Sequence, residues 1–166
     1  MFREMRRKKQ LLSREESEEI LKKGSFGVLA LSGDDGYPYA VPLNYVYDGR
    51  VIYFHSAKSG HKLDAVAGEP KASFCVIDQD LVVPEEYTTY FRSVIVFGTV
   101  RILVEEKEKR KAIEKLAIKY TPEDGEENRA HAIEKDWKAL CMLELTPQHM
   151  SGKEAIELTR QKKKNK

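Results

Sequence analysis

The sequence predicts a mainly β protein, an antiparallel barrel with helices at its periphery. Apolar runs of strand length follow one another with hairpin-length links, and a single helical segment, at 60–68, falls between the earlier strands. Regular alternation of strand and helix, which is typical of a parallel doubly wound sheet, is absent. The length of 166 residues and the hydrophobic fraction of 41% suit one domain with one core.

The first predicted element is a helix at about 14–23. Ser13 followed by Glu16 has the form of a capping box, in which each side chain accepts a hydrogen bond from the backbone of the other residue. The run FGVLAL then predicts a buried strand, which the turn-forming sequence SGDDG ends.

The next strand is predicted at 37–47. By the two-residue period of a strand, one of its faces is large and rich in tyrosine, whereas the other is small. The small face carries Pro38, Ala40, Pro42, Asn44 and Val46. Asp48-Gly49 is a dipeptide favoured in two-residue hairpin turns, so this strand should pair with a strand at 50–55.

The two prolines of this strand limit its place in the sheet. Pro38 and Pro42 cannot donate to a ladder, so the strand should be an edge, be bulged, or be open to a ligand. Two interpretations remain. The strand is an ordinary edge that proline protects, or its free backbone groups and small face accept a flat ring that carries carbonyl and N–H groups.

Further strands are predicted at 71–77, at 88–104 and at 139–146. Gly98, in the middle of the long second run, predicts a bend or bulge that lets a sheet curl. Helical spacing of apolar residues predicts a helix at about 105–120 and a short one around Trp137. The segment MSGKEAIEL is predicted to add a short strand before the end of the chain.

The stretch FHSAKSGHKL joins a strand to the helix at 60–68. If that helix begins near Gly60, its first N–H groups are unpaired and its dipole favours an anion. Lys62 in the first turn opposes the dipole unless an anion is bound, and the hydroxyl of Ser56 or Ser59 can add a donor. We interpret the stretch as a phosphate site; the alternative is that Lys62 extends into solvent.

Composition and charge limit the other classes of function. The net charge is +2, and basic clusters stand near both ends, which we interpret as solvated ends rather than a nucleic-acid surface. No apolar run approaches the about 20 residues of a membrane span, so we expect a soluble, cytoplasmic protein. Cys75 and Cys141 are predicted to be buried free thiols, and the histidine spacing predicts no metal site.

Two segments resemble the flavin-binding split-barrel superfamily of pyridoxamine 5′-phosphate oxidase, and most closely its branch of nitroimidazole-resistance (Nim-type) proteins. They are YAVPLNYVYDGRVIYFHSAKSGHKLDAV and YFRSVIVFGTVRIL. The resemblance covers roughly residues 10 to 155 and implies a six-stranded antiparallel split barrel. It corresponds to a basic N-terminal arm at 1–12, an FMN-binding domain at 13–158 and a basic C-terminal tail at 159–166.

The resemblance also implies a homodimer that binds one flavin mononucleotide (FMN) in each of two grooves between the subunits. By position, the residues expected along the isoalloxazine ring are Val41, Pro42, Leu43 and Asn44. The residues expected around the phosphate are His55, Ser56, Ala57, Gly60, His61 and Lys62. Arg92 and Ser93, on the long strand, are expected to close the phosphate end.

The function that the resemblance implies is an FMN-dependent oxidoreductase. The substrate would be a small molecule, such as a nitroaromatic, and the electrons would come from a nicotinamide cofactor or another donor. We find no counterpart of the basic residues that grip the substrate phosphate in pyridoxamine 5′-phosphate oxidase itself, so the Nim-type branch fits better. A deazaflavin in place of FMN stays open.

Two further alternatives stay open at this point. His55 could protonate the reduced substrate, or it could only hold the phosphate or the adjacent turn, and we favour the structural role. The barrel could also be a flavin-binding or sensor module without turnover, with basic tails that contact nucleic acid.

Overall fold

The computed structural model describes residues 1–164 and places seven strands in one antiparallel sheet. The strands are β1 (Phe26–Ser32), β2 (Pro38–Asn44), β3 (Val46–Tyr47), β4 (Ile52–Ala57), β5 (Lys71–Val83), β6 (Thr88–Ile102) and β7 (Leu140–Glu154). The helices are α1 (Arg14–Lys23), α2 (His61–Gly68), α3 (Glu106–Tyr120), α4 (Glu126–Asp136) and α5 (Ile156–Lys164). The predicted mainly β, antiparallel architecture is confirmed. Among the helices of residues 1–164, none has the length and apolar character needed to cross a bilayer.

The two edge strands of the sheet are neighbours in the sequence. The strand order is β2-β1-β5-β6-β7-β4-β3, so β2 and β3 are the edge strands, and only Tyr45 separates them in sequence. Within residues 1–164, β2 pairs with β1 alone and β3 pairs with β4 alone. The sheet therefore curls into a barrel that is not closed. We call the opening between β2 and β4 the split.

Tyr45 breaks the long strand that the sequence predicts at 37–47. Its side chain is fully buried, and its hydroxyl donates to the carbonyl of Leu21 at 2.7 Å, so the chain turns inward there. Only Val46–Tyr47 pair with β4, across a connection of four residues rather than two. The predicted pairing of the whole strand with 50–55 was wrong, and the break raises the number of strands from six to seven.

Helix α1 has the bounds and the cap that the sequence predicts. The Ser13 hydroxyl accepts from the N–H of Glu16 at 3.1 Å, and the Glu16 carboxylate accepts from the N–H of Ser13 at 2.9 Å. Ile20 and Leu21 are buried on the barrel core, where Phe54 packs with other strand residues. The helix therefore covers the core with its narrow apolar stripe.

A β-bulge lies at Gly98 of β6, where the sequence predicts a bend or bulge, and its extra residue, Gln148, belongs to the neighbouring strand β7. The register of β6 against β7 shifts between Phe97 and Gly98. A Cβ atom on Gly98 would lie 2.1 Å from the carbonyl oxygen of Thr146, so a side chain there requires the backbone to move. The extra curvature helps the long strands wrap around the core.

The C-terminal region differs from the prediction. β7 runs without a break to Glu154, so the separate strand predicted in MSGKEAIEL was wrong. Residues 159–164 of the predicted tail form most of α5, and residues 165–166 lie outside the described residues. Lys162 forms ion pairs with Glu154 at 2.8 Å and with Glu16 at 2.5 Å, which fasten α5 to the barrel.

Candidate flavin site at the split of the barrel

Asn44 and His55 stand at the mouth of the split. The β3–β4 ladder pairs Val46 with Tyr53, and a ladder continued by two residues would pair Asn44 with His55. Instead, β2 leaves β4 at Tyr45 and pairs with β1. The split therefore lies between the end of β2 and the middle of β4.

The outward face of β2 forms a platform of small side chains beside the split. Tyr39, Val41 and Leu43 turn inward and pack against the barrel core. The exposed residues of β2 are Pro38, Ala40, Pro42 and Asn44. Of the four residues expected along the ring, Pro42 and Asn44 therefore present side chains to this platform, whereas Val41 and Leu43 border it only through their backbone.

β2 has the edge position, which is one of the alternatives that its prolines predict. It occupies one end of the sheet, so one row of its backbone groups has no ladder partner within residues 1–164. On the other side, Pro42 pairs with Val28 and Ala40 pairs with Ala30, so the platform continues onto β1. A flat ring could lie on this surface and exchange hydrogen bonds with the free edge.

Residues at the end of α3 form hydrogen bonds with the backbone at the closed end of the split, where β2 passes into β3. The Asn44 amide donates to the carbonyl of Ser25 at 3.0 Å, and the Tyr120 hydroxyl donates to the same carbonyl. Lys119 donates to the carbonyl of Tyr45 at 2.9 Å, and burial lowers the pKa of Lys119 to about 8. The sequence carries no signal for these contacts, because residues of α3 reach a turn that is remote in the chain.

A donor group stands at the start of α2. The Lys62 ammonium donates to the Ser56 hydroxyl at 3.2 Å, and the side chain is half-buried, so burial lowers the pKa of Lys62. No carboxylate within residues 1–164 pairs with this ammonium. The N-cap residue Gly60 has a φ of 119° and offers no side-chain cap, and the N–H groups of His61 and Lys62 have no acceptor in the described chain. Ala57, which ends β4, is exposed beside this group.

The imidazole of His61 turns away from this donor group. Its ring stacks on Tyr39 with a centroid distance of 4.0 Å, and its Nε2 lies 3.6 Å from a carboxylate oxygen of Asp34. The side chain therefore packs at the β1–β2 turn. Only the backbone N–H of His61 is left to meet a ligand at the helix start.

His55 lies on the opposite face of β4 from Ser56. Along β4, Ile52 and Phe54 point into the core and Ser56 follows on their side, so His55 points outward. There it lines a cavity of about 290 Å³ beside α3 and α4. Burial and, second, the charge of Lys62 lower the pKa of His55. Both effects favour the neutral imidazole.

Within one chain, Arg92 and Ser93 do not reach the Lys62 group. The start of β6 pairs with the end of β7, whereas the end of β4 pairs with the start of β7. Arg92 also forms ion pairs with Asp78 at 3.6 Å and with Glu154 at 3.3 Å. Within residues 1–164, strand pairing therefore keeps these two residues apart from the Lys62 group.

The family profile described as pyridoxamine 5′-phosphate oxidase matches residues 13–154. The chain belongs to the pyridoxamine 5′-phosphate oxidase family. The match spans the whole barrel and the start of α2, and it confirms the resemblance that the separated motifs indicate. A sequence search of curated proteins gave no match.

Solved structures with the same fold include members from several bacteria. A candidate 5-nitroimidazole antibiotic resistance protein from Bacteroides thetaiotaomicron has a TM-score of 0.72 at 19% identity, over 86% of this chain and 85% of its own. A conserved hypothetical protein from Mycobacterium tuberculosis has a TM-score of 0.76 at 20% identity, over 90% of each chain. An FAD-binding protein from Mesorhizobium loti has a TM-score of 0.65 at 24% identity, over 88% of this chain and 97% of its own. These likenesses confirm the split-barrel fold.

Proposed function

We propose that this family member is an FMN-dependent oxidoreductase that reduces a small substrate of the nitroaromatic class. The observation that carries the proposal is the donor group at the start of α2. A half-buried ammonium without a counter-ion is unfavourable, and a phosphate supplies the missing charge. The Ser56 hydroxyl and the free N–H groups of α2 add donors at the place where the helix dipole also favours an anion.

The platform beside the split suits the isoalloxazine ring of the same molecule. Pro42 and Ala40 offer a flat surface without side chains that would obstruct a ring, and the free edge of β2 can meet the carbonyl and N–H groups of its rim. Asn44 is anchored through one amide N–H on Ser25, which leaves its other N–H and its oxygen for the ring. Bound FMN would supply the electron transfer.

The role proposed for the side chains of the protein is to bind and orient the flavin and the substrate and to shield them from water. The lowered pKa of His55 favours the neutral imidazole, in which one ring nitrogen donates a hydrogen bond and the other accepts one. We favour a role in which His55 orients a ligand at the mouth of the split over a role as proton donor, because its lowered pKa disfavours the protonated form. The source of electrons is proposed to be a nicotinamide cofactor.

A second copy of the chain is proposed to complete the site. The outer face of the sheet carries an apolar patch, which we call the outer patch, formed by Phe26, Val28, Cys75, Ile77, Ile95 and Phe97. The side chains of Ile77 and Phe26, on this one face of the sheet, are 65% and 61% exposed. Contiguous apolar surface of this kind is typical of an interface. A homodimer through the outer patch would also let Arg92 and Ser93 of one subunit approach the site of the other.

FAD is the second candidate cofactor, because the similar structure from Mesorhizobium loti is described as FAD-binding. The test is an absorbance spectrum of the purified protein, with mass spectrometry of whatever heat releases. FMN or FAD in the released fraction identifies the cofactor. Under anaerobic conditions, bleaching by a nicotinamide donor and recovery of colour with a nitroaromatic are the expected results.

The other outcomes separate the alternatives. Bound flavin that neither bleaches nor recovers would indicate a binding or sensor module without turnover. A colourless protein that takes up no added flavin would overturn the proposed function.

A further inference from the structure

We infer that the cavity between α3, α4 and β4 binds a flat, neutral aromatic ring that carries a hydrogen-bond acceptor. We call this cavity the helix cleft. Its lining includes His55, Ile113, Ala117, Arg129, Ile133 and Leu140. The inference deepens the proposed function, because it places a ring ligand next to the proposed flavin site, but the cleft itself exists without the flavin.

The size and walls of the helix cleft suit one or two fused rings. Its volume is about 290 Å³. An apolar cavity of about 150 Å³ is enough for benzene. Ile113 and Ala117 of α3 face Ile133 of α4 across the cleft, and Leu140 stands at the start of β7. Apolar walls on two opposed helices favour a flat ring that can contact both.

The polar groups of the cleft select among ring ligands. Arg129 is half-buried, donates to the carbonyl of Asp124 at 3.1 Å, and has no ion pair with a carboxylate of the described chain. Its guanidinium therefore keeps donors for an acceptor such as a nitro group or a ring nitrogen. The carboxylates of Asp124 and Asp136 also border the cleft. The two carboxylates disfavour an anion, and the guanidinium without an ion pair disfavours a cation, so the ligand should be neutral.

His55 connects the helix cleft to the split. Its imidazole lines the cleft, while its backbone position lies where β4 would meet Asn44 if the ladder continued. The charge of Lys62 is close enough to lower the pKa of His55. A ring in the cleft therefore lies beside the proposed flavin, and it can belong to a separate substrate or to the distal base of a dinucleotide flavin.

Titration calorimetry with 4-nitrobenzyl alcohol tests the cleft. Ala132→Trp fills it from α4, and Ala132 is exposed, so the substitution should not disturb the core. Ala130→Trp is the matched control, because Ala130 is exposed on the same helix and does not line the cleft. We expect Ala132→Trp to weaken binding by about tenfold or more and Ala130→Trp to change it by less than about twofold. Equal affinities of these two variants for every ligand would overturn the inference.

A second variant tests the acceptor. Benzyl alcohol lacks the nitro group, so the wild type should bind it more weakly than 4-nitrobenzyl alcohol. Arg129→Gln should bring the two affinities to within about twofold of each other, because it removes the charged donor. If the preference for the nitro compound is unchanged in Arg129→Gln, the assignment of Arg129 is wrong.

Flavin titrations distinguish the two sources of the ring. If the ring is the base of a dinucleotide, Ala132→Trp should weaken binding of FAD and leave binding of FMN intact. If the ring is a separate substrate, Ala132→Trp should weaken binding of the nitro compound and leave both flavins unaffected. A protein that binds 4-nitrobenzyl alcohol but no flavin would refute the proposed function and keep the helix cleft.

Discussion

Replacement of Lys62 by methionine removes the ammonium group at the start of α2 and keeps most of the aliphatic side chain. In the structure this ammonium is half-buried, donates to Ser56 at 3.2 Å and has no carboxylate partner within residues 1–164. A hydrogen bond to a charged group contributes about 1.5 to 3 kcal/mol. Because each 1.4 kcal/mol is about a tenfold change in Kd, Lys62→Met should weaken FMN binding by about tenfold to a hundredfold.

The same substitution should not destabilise the flavin-free protein. Burial lowers the pKa of Lys62, which means that the folded state disfavours its charged form relative to the unfolded state. This cost is present wherever the pH lies below the folded pKa and the lysine is charged, and methionine removes it. The melting temperature of flavin-free Lys62→Met should therefore equal or exceed that of the wild type.

Titration with FMN and with riboflavin isolates the phosphate contact. Riboflavin lacks the phosphate, so its affinity should be similar in the wild type and in Lys62→Met, whereas the affinity for FMN should fall. Lys58→Met is the control, because Lys58 is exposed on the adjacent loop. An FMN affinity within about twofold of the wild type, or an equal loss for riboflavin, would refute the phosphate assignment.

Three further substitutions test the fold and the proposed interface. Gly98→Ala should lower the free energy of unfolding by about 1 to 3 kcal/mol or more, because the added Cβ atom meets backbone atoms. Gly125→Ala is the control, because nothing lies within 4 Å of a Cβ atom there. Similar denaturation midpoints for the two variants would contradict the prediction. Ile95→Glu should shift a dimer to monomer in sedimentation experiments and Ile118→Glu should not, although both residues are exposed; a dimer unaffected by Ile95→Glu would exclude the outer patch. Between pH 8 and pH 10 the wild type should gain stability relative to Lys119→Met, because in this range the unfolded state binds more protons than the folded state. Urea unfolding measures this, and a difference in unfolding free energy between the two proteins that is the same at pH 8 and at pH 10 would refute the lowered pKa.

Local chemistry was readable from the sequence wherever neighbours in the chain decide the structure. Ser13 and Glu16 are three residues apart, so their capping box and the bounds of α1 follow from sequence alone. The prolines of β2 likewise limited it to an edge, a bulged strand or a strand open to a ligand, because Pro42 lacks the N–H that a central strand requires, and the structure places it at the edge. The motifs around Gly60 likewise predicted where a helix with free N–H groups begins.

Other features depend on contacts between distant segments. The break at Tyr45 interrupts a strand whose alternation looks continuous, because the buried hydroxyl bonds to α1 and the backbone is held by Lys119 of α3. The bulge at Gly98 was predicted, but only the packed Thr146 carbonyl shows why a side chain does not fit there. Such contacts leave no local pattern.

The features of the candidate site divide in the same way, into those that neighbouring residues decide and those that distant contacts decide. By itself, the sequence determined that a strand passes into a helix near Gly60 with Lys62 in its first turn, because these residues are neighbours in the chain. It left Ser56 and Ser59 as alternative donors, and the structure shows that Lys62 contacts Ser56. Only the tertiary structure decided that His55 faces the helix cleft and that Arg92 is held away by ion pairs, because strand pairing and helix packing join residues that lie far apart in the chain.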